Sequence, residues 1–187
     1  MNIDPSNGFL VYKTTGQDMD SALEIYRRSF EKSNLLNSKT VYDRKGSRIA
    51  GILGEIVFQK YMGSFGNKSL YDLSYDFLVC GKKVDVKCKY RTVVPRPTFE
   101  ASLFAYQVER HFYGVDYYVF LSTLPDFKTF WFCGMVSRSD WLSNTKGKIW
   151  KAGDVDPSNN KRFDADTWSI FYKDLNPVLP NPEKCFV

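Results

Sequence analysis

The sequence predicts a mixed α+β (α/β) fold, with helices flanking a central mixed β-sheet. Two stretches near the start, 17–32 and 47–62, repeat apolar residues at helical spacing. A central pair of segments, 75–79 and 84–88, instead alternates apolar and polar residues every second position, as the strands of a hairpin do. Two further apolar runs, 116–123 and 129–135, are typical of strands. This order indicates elements packed around one sheet.

The first predicted helix carries its apolar residues at Met19, Ala22, Leu23, Tyr26 and Phe30. The polar stretch 34–46 is predicted to be a loop. The second helix begins near Ser47 and ends before Gly63, a residue type that commonly terminates helices; its apolar stripe is Ile49, Ile52, Leu53 and Ile56.

The second half of the chain is predicted to be richer in strands. Thr98 is a suitable cap for a third helix that ends near Gly114. A short helix is expected after Ser137, and a strand over 168–172. The proline-containing tail is predicted to be irregular.

The length of 187 residues predicts a single domain, with a core at about 47–135, an N-terminal helical segment at 1–46 and a C-terminal extension at 136–187. No apolar run is long enough to span a bilayer, and the first residues are polar. We therefore expect a soluble, intracellular (cytoplasmic) protein that does not associate with membranes.

The net charge is +5, and six basic residues lie between Lys82 and Arg96 with Asp85 as the single acid. Either a solvated strand face or a surface that binds a polyanion explains this run. The four cysteines do not have zinc-site spacing and there is one histidine, so reduced thiols are expected.

The hairpin brings together the residues with the most informative chemistry. Alternation places Asp85, Lys87 and Lys89 on one strand face. A turn at Cys80-Gly81 sets Asp76 opposite Asp85, whereas a turn at Gly81-Lys82 sets it opposite Lys87. Both two-residue turns put Asp76 on the face of Asp85 and Lys87.

Two carboxylates in cross-strand contact repel each other, and a divalent cation removes that conflict. Oxygen ligands of this kind suit Mg²⁺, and Lys87 would point at the same place. Glu55, at the edge of the second helix, is a candidate third ligand, with Gly51 and Gly54 permitting close approach nearby. The alternative is a surface hairpin with ordinary ion pairs.

The ordered set Gly54-Glu55, Tyr75-Asp76-Phe77 and Val84-Asp85-Val86-Lys87 resembles the restriction-endonuclease-like PD-(D/E)XK nucleases over about 48–123. Gln107 resembles the glutamine of a family helix that borders the active site. The sequence departs from the family pattern in two places: His111 stands where a tyrosine is common, and Tyr75 replaces the family's proline. The tail over 134–177 resembles the extension of small phage-type members.

This resemblance implies a Mg²⁺-dependent endodeoxyribonuclease, with Mn²⁺ as a substitute, that hydrolyses DNA phosphodiester bonds. Asp76, Asp85 and the Val86 carbonyl would bind the metal, Glu55 would complete the site, and Lys87 would serve catalysis. The residues near substrate phosphate would be Lys89, Arg91, Arg96 and Gln107. A homodimer is expected if both strands are cut.

Other function classes fit less well or stay open. No Walker loop or Gly-x-Ser-x-Gly elbow occurs, so a nucleotide cofactor and acyl hydrolysis are not expected. The rivals are a non-catalytic DNA-binding module on a nuclease-like fold and a structural or interaction protein of a virus. Within the nuclease class, a structure-specific junction resolvase stays open.

Overall fold

The computed structural model describes residues 1–33, 41–68, 75–109, 114–143, 147–157 and 160–186. Four α-helices lie in this part of the chain: α1 (Gly16–Ser33), α2 (Val41–Met62), α3 (Ala105–Glu109) and α4 (Arg138–Ser143). Short 3₁₀ segments occur at Gly63–Phe65, Tyr172–Asp174 and Pro182–Lys184.

The described strands form three sheets. They are β1 (Asn2–Ile3), β2 (Leu10–Lys13), β3 (Gly66–Lys68), β4 (Phe77–Val79), β5 (Lys82–Tyr90), β6 (Glu100–Phe104), β7 (Tyr117–Thr123), β8 (Thr129–Ser137), β9 (Lys148–Trp150), β10 (Val155–Asp156), β11 (Lys161–Arg162) and β12 (Thr167–Phe171). The central sheet has the order β1-β2-β8-β7-β5-β4-β3, the second sheet is β6-β12-β9, and β10 pairs with β11.

The central sheet is mixed, because β5 and β7 run parallel while its other neighbouring strands are antiparallel. The chain crosses from β5 to β7 by way of β6 and α3. The fold is therefore α+β, with a central mixed sheet flanked by helices, as the sequence predicts.

The two faces of the central sheet are covered by different layers. One face packs in a cluster with α1, α2 and the chain end around Phe186. The other packs in a second cluster with residues of β6 and β12 and with α3 and α4, where Trp141 is fully buried. Together these clusters place the sheet in the middle of three layers.

Strand β5 separates apolar from charged residues across the sheet. Val84 and Val86 are buried in the cluster formed with α2, while Asp85 and Lys87 alternate with them and take the opposite face. Central position in the sheet leaves both edges of β5 with a neighbouring strand. The strand thus carries charged side chains into the middle of the molecule.

The first two predicted helices and the hairpin agree with the structure, but the loop predicted at 34–46 does not over its described residues 41–46. Residues 34–40 lie outside the described part, and α2 begins at Val41. Gly46, taken as a loop residue, lies inside this helix, where an added Cβ would meet the Tyr90 ring at 2.9 Å. Its role is close packing against β5 and not chain reversal.

The third helix predicted from Thr98 to Gly114 is wrong over its first half. The chain forms β6 there, with Ala101 and Leu103 buried and Ser102 and Phe104 alternating with them, and α3 spans only Ala105–Glu109. The strand is stabilised by pairing with β12, more than sixty residues later, which local periodicity does not reveal. Residues 110–113, including His111, lie outside the described part.

The N-terminal segment predicted to be helical also contains strands, since β2 pairs with β8 in the central sheet. Likewise, β9 and β12 of the predicted extension form a sheet with β6. The four cysteines are free. None of the described helices combines the length and apolar character needed to cross a membrane.

The approach of α2 to β5 depends on Gly54, and this contact can be tested against a matched glycine. A Cβ added at Gly54 would lie 2.8 Å from the Cys88 Cβ, whereas one at Gly51 would meet nothing within 4 Å. We expect Gly54→Ala to lower the free energy of unfolding by about 1–3 kcal/mol. Gly51→Ala should raise it by about 0.5–1 kcal/mol. Urea denaturation measures both, and equal stabilities would show that the two elements do not touch at Gly54.

Candidate active site

The hairpin brings Asp76, just before β4, next to β5 and close to Asp85. Its turn is Cys80-Gly81, with φ of +49° and +77°, and Val79 pairs with Lys82. Positive φ at both central residues is characteristic of the two-residue turn whose twist matches that of the flanking strands. The first of the two predicted registers is therefore the one observed, and it holds from Val79 and Lys82 to Phe77 and Val84.

Asp76 lies where regular pairing between β4 and β5 ends. The last paired residues are Phe77 and Val84, and the Asp76 amide donates to the Val84 carbonyl at 3.0 Å. Beyond this point the Asp76 carboxylate itself accepts the Val86 amide, at 2.7 Å. This side-chain bond to a strand amide fixes the carboxylate beside β5.

The same bond gives the direction of the Val86 carbonyl. The amide and carbonyl of one strand residue point to the same side of the strand. Since the Val86 amide points to Asp76, its carbonyl also points to the side where β4 has ended. The predicted carbonyl ligand thus faces the side of the candidate metal site.

Asp85 and Lys87 form a direct ion pair close to Asp76. The Lys87 Nζ lies 2.8 Å from one Asp85 oxygen and 3.0 Å from the other. The Asp85 side chain is 14% exposed and that of Lys87 is 33% exposed. The pair is thus more enclosed than a solvated surface salt bridge, which the alternative reading of the hairpin required.

Burial and repulsion act together on Asp76. Its pKa rises from 3.8 to about 7, chiefly because burial disfavours the charged form, and further because of the negative charges of Asp85 and Glu55. The hydrogen bond from Val86 and the charge of Lys87 oppose this rise without cancelling it. Glu55, carried by α2, is therefore close enough to act electrostatically on Asp76.

The residues present suit a cation that needs few protein ligands. Among the side chains that the structure describes, no three from His, Cys, Asp and Glu form a group that could hold a metal ion. Mg²⁺ commonly binds through one or two carboxylates and keeps several waters. Asp76 and Asp85 meet that requirement, and the raised pKa of Asp76 marks a place where positive charge is favoured. Direct ligation by Glu55 stays a prediction.

The structure attaches two of the predicted phosphate-binding residues to neighbouring parts of the chain. The Lys89 Nζ donates to the Glu100 carbonyl at 3.0 Å and to the Ser102 hydroxyl at 2.8 Å. Arg91 donates to the Glu100 carbonyl at 3.2 Å and to the Tyr172 hydroxyl at 2.9 Å. Both side chains therefore join β5 to the second sheet, and their contact with phosphate stays a prediction.

The other two predicted phosphate-binding residues occupy different surroundings. Arg96 is exposed in the loop between β5 and β6, where it lines an open pocket with Val93 and Val94. Gln107 lies on α3, and its carbonyl accepts the Tyr118 hydroxyl at 3.2 Å. The four predicted phosphate-binding residues thus lie on β5 and the residue that follows it, in the loop before β6, and on α3.

For two residues near the site, Tyr75 and Tyr118, the structure differs from the sequence prediction or adds to it. The alternation over 75–79 predicts Tyr75 on the apolar face with Phe77, but Tyr75 packs with the opposite cluster, and the Lys83 Nζ lies 5.0 Å from its ring centroid. Alternation does not apply to Tyr75 because it precedes the strand. Tyr118 was missed: it pairs with Asp85 across β5 and β7, and burial, with a further contribution from Asp85, raises its pKa to about 12.

Comparison with known proteins returned no match, either to models of protein families or to the curated proteins.

The charge conflict at Asp76 predicts a pH-dependent stability. Because its folded pKa of about 7 exceeds 3.8, the folded state keeps a proton that the unfolded state has lost between these pH values, so metal-free stability falls as pH rises through this range. Asp76→Asn removes the charge and can still accept the Val86 amide. At pH 8 in EDTA this variant should melt at least about 3 °C above wild type, and the gap should close by pH 4.

Thermal melts with and without Mg²⁺ check this prediction. Mg²⁺ should raise the melting temperature of wild type at pH 8 and have less effect on Asp76→Asn. The exposed Asp164 supplies a control, because Asp164→Asn should leave the pH profile and the Mg²⁺ response unchanged. A wild-type stability that does not fall between pH 4 and 8 in EDTA would contradict the charge conflict.

Proposed function

We propose that this protein is a metal-dependent deoxyribonuclease that hydrolyses DNA phosphodiester bonds, on a core like that of the restriction endonucleases. The observation that carries the proposal is that the Val86 amide holds the Asp76 carboxylate close to Asp85, which forms an ion pair with Lys87. Carboxylates gathered with a lysine in a partly enclosed place are typical of a site that needs a bound cation.

The surrounding elements support this proposal. The helix carrying Glu55 precedes the hairpin and packs against the apolar face of β5 through Gly54 and Cys88. A parallel strand, β7, then lies beside β5 and brings Tyr118 next to Asp85. This order of helix, hairpin and parallel strand agrees with the sequence resemblance, which rests on the same residues.

In the proposed reaction Asp76, Asp85 and the Val86 carbonyl would hold Mg²⁺, or Mn²⁺ in its place. The bound ion would lower the pKa of an attacking water and balance charge that develops on the phosphate. The contribution of the chain is geometric: the Val86 amide holds the Asp76 carboxylate at 2.7 Å, so the two acids are positioned before substrate arrives. Glu55 adds negative charge that favours a cation at this place.

Lys87 would act on the substrate side of the site. Its ammonium lies 2.8 Å from Asp85 and its side chain is one-third exposed, so a small movement of this flexible side chain would take the ammonium from the carboxylate to a phosphate oxygen. There it would donate a hydrogen bond to the attacking water or offset the charge of the transition state. The pairing with Asp85 holds the Lys87 ammonium beside the candidate metal site.

The basic residues on β5 and in the following loop make DNA the proposed substrate. Lys82 and Arg96 are exposed, and their charges would contact phosphates without reading sequence. Cutting both strands with one site in a small chain would require two copies, so a homodimer is part of the proposal. A non-catalytic DNA-binding module is its rival, and cleavage separates the two.

A cleavage assay tests the proposal, using supercoiled, linear and branched DNA with Mg²⁺, Mn²⁺ or EDTA. Wild type should cut with either metal and not in EDTA. Asp85→Ala should lose cutting, and Lys87→Ala should lower the rate by about a hundredfold or more, because a group acting on the transition state is removed. The reaction is followed on gels.

A matched lysine controls for the loss of charge alone. Lys82→Ala removes the same charge from the exposed end of β5, away from the two acids, and should weaken binding modestly while cleavage at saturation stays near wild type. Equal losses in Lys82→Ala and Lys87→Ala would argue against a catalytic place for Lys87. Cutting that survives in Asp85→Ala would overturn the site.

A further inference from the structure

An exposed pair of aromatic rings is left unused by the proposed reaction. Phe104, the last residue of β6, and Tyr106, in the first turn of α3, are each 44% exposed. Their ring planes are within 11° of parallel, with centroids 5.6 Å apart. Stacked rings at the surface contribute little to a core, although aromatic side chains usually gain most from burial.

The segment that carries the rings is attached to the candidate site at both ends. On one side, the Ser102 hydroxyl accepts a hydrogen bond of 2.8 Å from Lys89, which lies on the polar face of β5. On the other side, the Gln107 carbonyl accepts one of 3.2 Å from Tyr118, the residue paired with Asp85. The aromatic pair lies between these two attachments, and Phe104 shares the strand face of Ser102.

The backbone beneath the rings is also held firmly. Ala105, between the two aromatic residues, is buried, and its amide donates to the Asp166 carbonyl at 2.8 Å. At the end of α3, Arg138 donates to the Val108 carbonyl at 2.7 Å. A surface anchored in this way presents its rings with little loss of conformational freedom on binding.

Flat rings beside a basic strand are suited to nucleobases. A base inside a duplex already has its faces covered by its neighbours, so only an unpaired base can lie against a side-chain ring. The cations of β5, among them Lys87 on the same face as Asp85, supply attraction for the accompanying phosphates. The flat surface and the charge therefore fit a nucleic acid strand with exposed bases better than a closed duplex.

We propose that the Phe104–Tyr106 pair stacks on an unpaired base at the candidate site, so that the substrate class is DNA with single-stranded nucleotides, such as overhangs, flaps and branches. This inference rests on the proposed function and narrows its substrate. The pair is a positioning and specificity element, since it acts through the base and not on the scissile phosphate.

The test uses oligonucleotides carrying 2-aminopurine, a base whose fluorescence is quenched by stacking, either in a single-stranded overhang or inside a blunt duplex. Binding is measured in EDTA, which prevents metal-dependent cleavage. Wild type should bind the overhang more tightly than the blunt duplex and quench its fluorescence. Phe104→Leu/Tyr106→Leu keeps the apolar character but removes the flat rings, and should weaken overhang binding by about tenfold and abolish quenching.

Two matched variants separate stacking from loss of bulk or of fold. Tyr90, whose ring is tilted against that of Phe127 with centroids 5.6 Å apart, is exposed on the α2 side of the central sheet, so Tyr90→Leu should leave overhang binding unchanged. Phe104→Tyr/Tyr106→Phe retains both rings and should retain quenching. Tyr106→Leu alone replaces the double variant if the latter does not fold, as judged by circular dichroism.

Three results would overturn the inference: no loss in the leucine variant, an equal loss for overhang and blunt duplex, or an equal loss in Tyr90→Leu. Sedimentation tests whether the rings instead form a contact between two copies of the chain. If wild type is a dimer, and the leucine variant is a monomer with unchanged overhang affinity, the rings belong to that contact. Metal-dependent cleavage by wild type is assayed separately. Quenching without any cleavage would support base stacking by Phe104 and Tyr106 and would contradict the proposed hydrolysis alone.

Discussion

The architecture depends on strand β5, which must satisfy two opposite environments along nine residues. Val84 and Val86 are buried against the α2 face, whereas Asp85 and Lys87 face the other way. A shift of one residue would bury the charges under α2 and expose the valines, so the burial of one face fixes the register. The packing of α2 against the valines of β5 therefore also determines where Asp85 lies, although α2 does not carry Asp85.

The candidate site lies where the pairing between β4 and β5 ends, at Phe77 and Val84. A longer ladder would have satisfied the Val86 amide with backbone, but here the Asp76 carboxylate accepts it, close to Asp85 and Glu55. Such an arrangement opposes folding when no cation is bound, as the raised pKa of Asp76 indicates. A destabilising cluster held in place by strong packing is more consistent with selection for binding than for stability.

Sequence reasoning succeeded where the determining interactions are local. Period-two alternation and a two-residue turn were enough to predict the β4–β5 hairpin and the face that Asp85 shares with Lys87, and helical spacing was enough to predict α1 and most of α2. It failed where distant partners decide the conformation: β6 pairs with β12, and β2 with β8. The parallel pairing that brings Tyr118 beside Asp85 was hidden for the same reason.

The basic run on β5 divides into two physical roles once its contacts are considered. Lys89 and Arg91 both donate to the Glu100 carbonyl, so part of their donor capacity serves to join the second sheet to the central one. These hydrogen bonds hold β6 beside the polar face of β5, and Phe104 is the last residue of β6. A run of charge that resembles a simple polyanion surface in the sequence thus also joins the second sheet to β5. Net charge alone therefore overestimates how many of these cations are available to bind a substrate. It also does not reveal that Lys89 and Arg91 join the two sheets.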